Sequence, residues 1–232
     1  MPATTAASLP PIVVFDLDGT LAETAPDIMR VLNVILVREG LSALPVAKAR
    51  DLVGAGARAL LERGFRVRGR ELTPERLEVL FLDFLEIYAE SPVADSHLFD
   101  GVAAAMAQLS EEGYLLAVCT NKPIRHTRLI LDAFDVADRF AYVAGRDTFD
   151  FCKPDPRHLT ETIRLAGGNP ARAVMIGDSR TDIATAQAAG IPVIAVPFGY
   201  TDVPVETLHP DIVIQHFDEL AAAIRKLVPP QL

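Results

Sequence analysis

A chain of 232 residues, 50% of them hydrophobic, can bury one large core, or a core with a smaller insert. Its formal net charge of −9 argues against a nucleic-acid or anionic-membrane surface, because both need a positive field. No apolar run approaches the roughly 20 residues that span a bilayer, and Cys119 and Cys152 suggest neither a disulfide framework nor a zinc site.

Residues 1–11 lack the basic start and apolar stretch of a signal peptide and read as a short disordered tail. A cytoplasmic home is the simplest expectation. The apolar run Ile12 to Phe15 reads as a buried strand that delivers Asp16 and Asp18 into a turn at Gly19 and Thr20. Side chains two apart on an extended chain point the same way. The two carboxylates therefore share one small space, which implies a cation between them, a shared proton or divided labour.

Residues 23–94 carry helical periodicity without a good strand. The predicted helices run over 27–39, 45–52, 55–64 and 74–89. A block of about 70 residues is far longer than an ordinary crossover. It reads as an all-helical insert lying over the strand ends, with the core formed by 1–22 and 95–232. Gly54 and Gly56 resemble part of a dinucleotide fingerprint, but that motif needs a buried strand before it. Residues 47–53 include Lys48, Arg50 and Asp51, so a tight turn is expected instead. Arg58, Arg63, Arg66, Arg68 and Arg70 make the insert locally basic. Either they form a solvated face or they draw in an anion, with Arg58 best placed.

Beyond residue 100, short apolar runs at 115–119, 141–144, 173–176 and 193–196, with another at 211–214, alternate with helical segments at 123–134, 156–166 and 181–189. Continuous apolar runs suit strands covered on both faces. The alternation predicts an α/β fold with a doubly wound, mostly parallel, Rossmann-like sheet. Thr120 or Asn121 is a plausible cap for the helix that follows it. The five histidines show no metal spacing and read as surface or insert residues.

In such a sheet, ligands bind beyond the carboxyl ends of the strands. Asp16, Asp18, Thr120, Asn121, Lys153, Asp178 and Asp182 all follow strands there. Each has a bland reading. Asp18 can serve a turn, Thr120 a cap and Lys153 the solvent, and Asp178 and Asp182 a helix dipole. Together they have a coherent use. Carboxylates with open positions suit Mg²⁺, and a lysine and a hydroxyl suit a phosphoryl group. A carboxylate can attack phosphorus while a neighbouring acid serves the leaving oxygen.

The segments Asp16 to Leu21, Thr120 with Asn121, Lys153 to Pro156 and Gly177 to Asp182 resemble, in order, the four motifs of the haloacid dehalogenase-like hydrolases. The resemblance covers nearly the whole chain. It implies Asp16 as nucleophile and Asp18 as general acid and base. Thr120 and Lys153 would bind phosphate, with Asn121 a weaker candidate. Mg²⁺ would be held by Asp16, the Asp18 main-chain carbonyl and Asp178, with Asp182 in support. The insert would be the family's cap, with Gly54, Gly56 and Arg58 facing substrate.

Haloacid dehalogenases themselves lack the second aspartate, so Asp18 points to phosphate esters. Residues 24–27, 53–56, 120–123, 147–149 with 153–156, and 177–180 are similar to the family branch that hydrolyses 2-phosphoglycolate. Departures at Ala22, Glu23 and Thr24, and at 98–101, bear on the substrate rather than the chemistry. The expected partner is 2-phosphoglycolate or another small phosphorylated metabolite, handled by a monomer or homodimer. The alternatives are a sugar phosphomutase of the same family and, more distantly, a phospho-aspartate signalling module.

Overall fold

The computed structural model describes residues 9–54, 56–201 and 203–230. Most of the expected N-terminal tail lies outside these residues, as does Ala55 of the glycine turn.

The first strand, β1 (Ile12–Phe15), is followed by the short β2 (Ala22–Glu23). A helical block comes next: α1 (Ala25–Arg38), a 3-10 turn at Val46–Lys48, α2 (Ala49–Leu52), α3 (Ala57–Val67) and α4 (Pro74–Glu90). The chain returns through β3 (His97–Leu98) and α5 (Val102–Glu111). It then alternates β4 (Leu115–Cys119), α6 (Ile124–Ala133), β5 (Tyr142–Ala144), α7 (Pro156–Leu165), β6 (Ala173–Gly177), α8 (Arg180–Ala189) and β7 (Val193–Ala195). The strand β8 (Ile212–Val213) and the helix α9 (Leu220–Leu227) complete the fold.

Six strands form one parallel sheet in the order β5-β4-β1-β6-β7-β8. Both faces are covered. Val13 and Phe15 of β1 enter one core, and Ile12 and Val14 enter the other. Full burial of each such side chain contributes about 1.5–3 kcal/mol, which anchors the strand that ends at Asp16. The chain passes from β1 to β4 on one side and reaches β6 on the other, so the carboxyl end of β1 lies at a topological switch point.

Local chemistry explains several boundaries. Thr73 caps α4 by accepting from the Arg76 N–H, and Pro74 sits where its missing N–H costs nothing. Ser179 and Asp182 form a capping box on α8, and Gly190 ends that helix in the left-handed region at φ 66°. Thr120 and Asn121 do not cap α6, which starts only after Pro123, and the Ile124 N–H donates instead to Asp147 Oδ1 at 2.7 Å.

The antiparallel pair β2 and β3 was not expected from the sequence. Two-residue strands are too short to show a period. This pair joins the two ends of the helical block, in which α1 packs on α3 and α4. From the block, α4 also packs against α6. Among the described residues, no helix is long and apolar enough to cross a membrane.

Candidate active site

At the end of β1, Asp16 is buried, and its Oδ1 stands 2.8 Å from the Lys153 ammonium. The approach falls outside hydrogen-bonding angles and leaves that buried oxygen without a donor. Lys153 also donates to Asp182 Oδ1 at 2.5 Å. Asp182 Oδ2 accepts from the Ser179 N–H and Oγ at 3.0 and 2.6 Å. Asp182 thus serves both as part of a helix cap and as a partner for Lys153. Burial alone would push the Lys153 ammonium toward neutrality, but Asp16 and Asp182 outweigh it and keep the group protonated.

Asp178 follows β6 and is also buried. Its Oδ1 accepts from Thr20 Oγ1 at 2.9 Å and its Oδ2 from the Tyr200 N–H at 2.6 Å. Ligand oxygens of Asp16, Asp178 and Asp182 all lie within 4.8 Å of one another. Three buried carboxylates share one ammonium there. Burial, opposed by Lys153 and reinforced by Asp182, pushes Asp16 up to about 6. Burial and then the Asp182 and Asp16 charges hold Asp178 well above the usual carboxylate range.

An excess of buried negative charge and an unused carboxylate oxygen fit a hard divalent cation. Asp16 is the acid with an oxygen that accepts no hydrogen bond, whereas both oxygens of Asp178 and both of Asp182 already accept one.

Asp18 stands apart from that cluster. It accepts from Thr24 Oγ1 at 2.6 Å, and Lys122 Nζ lies 3.0 and 3.2 Å from its two oxygens. Lys122 also donates to Tyr88 Oη at 3.2 Å and sits 4.4 Å from the centre of that ring. Burial works against the Lys122 charge, but Asp18 and Tyr88 outweigh it and hold the group protonated. Neither Lys122 nor Tyr88 was expected here from the sequence. The available signals were Lys122's position two residues after Thr120 and its place in the stretch 120–123.

Thr120 is buried, and its Oγ1 accepts from the Lys122 N–H at 3.2 Å while keeping its own proton to donate. Asn121 Nδ2 donates to the Lys153 carbonyl at 2.9 Å, so its side chain supports the lysine loop. Asp16, Asp18, Thr120, Asn121, Lys153 and Asp178 share one pocket wall with Gly54 and Gly56.

Arg58 is not on that wall. It makes a fork to Glu78 at 2.6 and 2.9 Å and covers the Phe81 ring at 3.5 Å. The other arginines of the block whose contacts are defined also brace the chain. Arg63 and Arg68 donate to main-chain carbonyls, and Arg70 pairs with Glu39. His126 and His158, expected at the surface or in the insert, are buried. His126 packs on Tyr88, and His158 Nδ1 accepts from the Lys153 N–H at 3.1 Å.

A parallel sheet with this cluster at its switch point defines an α/β protein with a candidate cation and phosphate site at its strand ends. Residues 13–196 match the family model described as haloacid dehalogenase-like hydrolase, and the chain belongs to that family, as a phosphatase. The phosphoglycolate phosphatase of Mesorhizobium japonicum is 49% identical over 214 residues, 92% of this chain and 94% of that protein. That of Caulobacter vibrioides is 44% identical, over 91% of this chain and 89% of its own length. A crystal structure of a predicted phosphoglycolate phosphatase from Haemophilus somnus superimposes with a TM-score of 0.85 at 28% identity, covering 95% of this chain and 99% of that one.

Proposed function

We propose that the protein hydrolyses small phosphate monoesters, 2-phosphoglycolate first among them, in two displacements through Asp16. The observation that carries this is the meeting of Asp16, Lys153 and Asp178 in one buried cluster, with Asp18 beside it on the same pocket wall. The relatives named phosphoglycolate phosphatase support the substrate.

In the first displacement, a carboxylate oxygen of Asp16 attacks phosphorus and the ester P–O bond breaks. Asp18 gives its proton to the departing oxygen. Lys153 and the Thr120 hydroxyl bind the phosphoryl oxygens. In the second, Asp18 takes a proton from water, whose oxygen attacks the same phosphorus. Asp16 is restored as a carboxylate and inorganic phosphate leaves. Asp16, Asp178 and the Asp18 carbonyl would hold Mg²⁺, which when bound neutralises charge on the phosphoryl oxygens. Asp182 keeps Lys153 in place.

Residues 23–94 form the cap in this reading, over a core of 1–22 and 95–232. A sugar ring would need several hydrogen-bond partners. The described side chains of the block on the pocket wall are Ile28, Val53, Ala57, Leu60, Phe84, Leu85 and Tyr88, and only the last carries a polar group. That wall suits a small leaving group and speaks for hydrolysis over a sugar phosphomutase.

A phosphate-release screen over small phosphomonoesters, with and without Mg²⁺, tests the proposal. We expect 2-phosphoglycolate to lead the screen and a chelator to abolish release until Mg²⁺ is restored. Release that persists in chelator would sink the metal assignment. Isomerisation of a sugar phosphate without phosphate release would favour the mutase.

A further inference from the structure

Two ammonium groups reach the pocket wall among the described residues, Lys153 and Lys122. Lys153 is held between Asp16 and Asp182, at the phosphoryl end. Lys122 is held by Asp18, whose proposed task is to meet the leaving oxygen. Its side chain is only 8% exposed, so the ammonium is fixed rather than free to sweep through solvent. The Tyr88 hydroxyl that accepts from it retains a proton of its own to donate. A charged donor and an O–H thus stand side by side next to Asp18.

Among the described residues the rest of the niche supplies no lysine or arginine, and burial holds His126, also on the wall, toward its neutral form. The side chains that the block contributes there are apolar apart from Tyr88, and Arg58 is drawn away to Glu78 and Phe81. The negative charge of an anionic leaving group therefore has one place to go among the described residues. Because Lys122 Nζ lies 3.0 Å from Asp18 Oδ1, an anion can meet both lysine and acid only if it is carried close to the ester oxygen.

We infer that Lys122, with Tyr88 beside it, is the specificity-determining residue that binds a carboxylate on the carbon next to the ester oxygen. This inference rests on the phosphomonoesterase reading above and deepens it. It moves substrate selection from the inserted block to the loop after β4, with the block supplying one phenol and an apolar lid.

The test compares kcat/KM on 2-phosphoglycolate with kcat/KM on its neutral counterpart, 2-hydroxyethyl phosphate. Lys122→Met removes the charge and keeps most of the stem. We expect the acid-to-neutral ratio to fall roughly 30- to 100-fold, the scale of one lost charge-assisted contact. Lys122→Arg should restore most of the ratio, and Tyr88→Phe should lower it about 3- to 10-fold.

Equal losses on both esters would overturn the inference and make Lys122 a support for Asp18 alone. An unchanged ratio would overturn it too. Should Lys122→Met fail to fold, inhibition of the unmodified enzyme by glycolate against ethylene glycol decides the same question. Glycolate should inhibit at a concentration at least about 30-fold lower, and equal inhibition overturns the site. If the unmodified enzyme hydrolyses both esters equally, the carboxylate site is lost while the phosphatase reading stands. If it releases phosphate from neither, that reading fails and takes this inference with it.

Discussion

The main-chain N–H of Tyr200 donates to Asp178 Oδ2 at 2.6 Å, while the phenol of the same residue accepts from the N–H groups of Thr24 and Ala25 at 2.7 and 2.8 Å. One residue therefore joins a candidate metal ligand to the first turn of α1. The phenol also donates to Glu23 Oε1 at 2.5 Å.

Tyr200→Phe leaves the Thr24 N–H without its acceptor, while the Ala25 N–H keeps Glu23 Oε1 at 3.0 Å and the Asp178 contact, a main-chain bond, stays in place. An orphaned buried donor costs about 1–3 kcal/mol. We expect urea unfolding to show a loss of about that size, because the Ala25 N–H retains its second acceptor. An unchanged midpoint would show that the phenol is dispensable.

Gly199 gives the Asp178 carboxylate its room. A Cβ built on Gly199 would stand 2.2 Å from Asp178 Oδ2, well inside contact distance. Gly199→Ala must displace that carboxylate. We expect the Mg²⁺ concentration for half-maximal activity to rise at least about tenfold, the scale seen when a metal ligand's support is disturbed. Titration calorimetry with Mg²⁺ alone checks the same point without turnover.

Asp16→Asn should abolish phosphate release with the circular dichroism unchanged, because no other carboxylate on the wall is placed to attack in its stead. Asp18→Asn should lower kcat on 2-phosphoglycolate by about 10²–10⁴-fold, the usual worth of a general acid and base. With p-nitrophenyl phosphate the leaving group needs no proton. Asp18→Asn should then still release a first equivalent of nitrophenol before stalling. The absence of that burst would mean that Asp18 acts before the ester bond breaks in some other way than as an acid.

His158 makes stability depend on acid. Burial, helped by the Lys153 charge, pushes its pKa from 6.5 down to about 4. Between those values the unfolded chain binds a proton that the folded chain refuses, so stability falls as pH falls through this window. The effect is at most about 3 kcal/mol. His158→Gln keeps an acceptor for the Lys153 N–H without the titration. Its melting temperature should decline less steeply than the parent's between pH 6.5 and 4, and parallel curves would refute this.

The strand ends and their acids could be read directly from the chain. Apolar runs mark buried strands, because a strand covered on both faces is apolar throughout. The two-residue period does not govern Asp16 and Asp18, because β1 ends at Phe15 and a turn follows. The order of Thr120, Lys153 and Asp178 after their strands was equally local. Helix positions in the block were visible through their period, although α2 is half replaced by a 3-10 turn and α1 begins two residues early, at Ala25. Arg58 misled because its neighbours in sequence, Gly54 and Gly56, do line the pocket. Its partner Glu78 lies a helix away, and the bidentate fit of guanidinium to carboxylate over Phe81 won.

By itself, the sequence determined the α/β alternation, the long helical insert and the residue types that the strands carry to one edge. Tertiary structure alone decided which charges meet. Lys122 reaches Asp18 across 104 positions and Tyr200 reaches Asp178 across 22. Such pairs obey no period, because packing of separate elements sets them, not the repeat of one backbone. The two carboxylates that leave β1 together thus part company in the fold. Asp16 joins Lys153 and the metal-type cluster, Asp18 joins Lys122, and each difference is one of neighbours that only folding supplies.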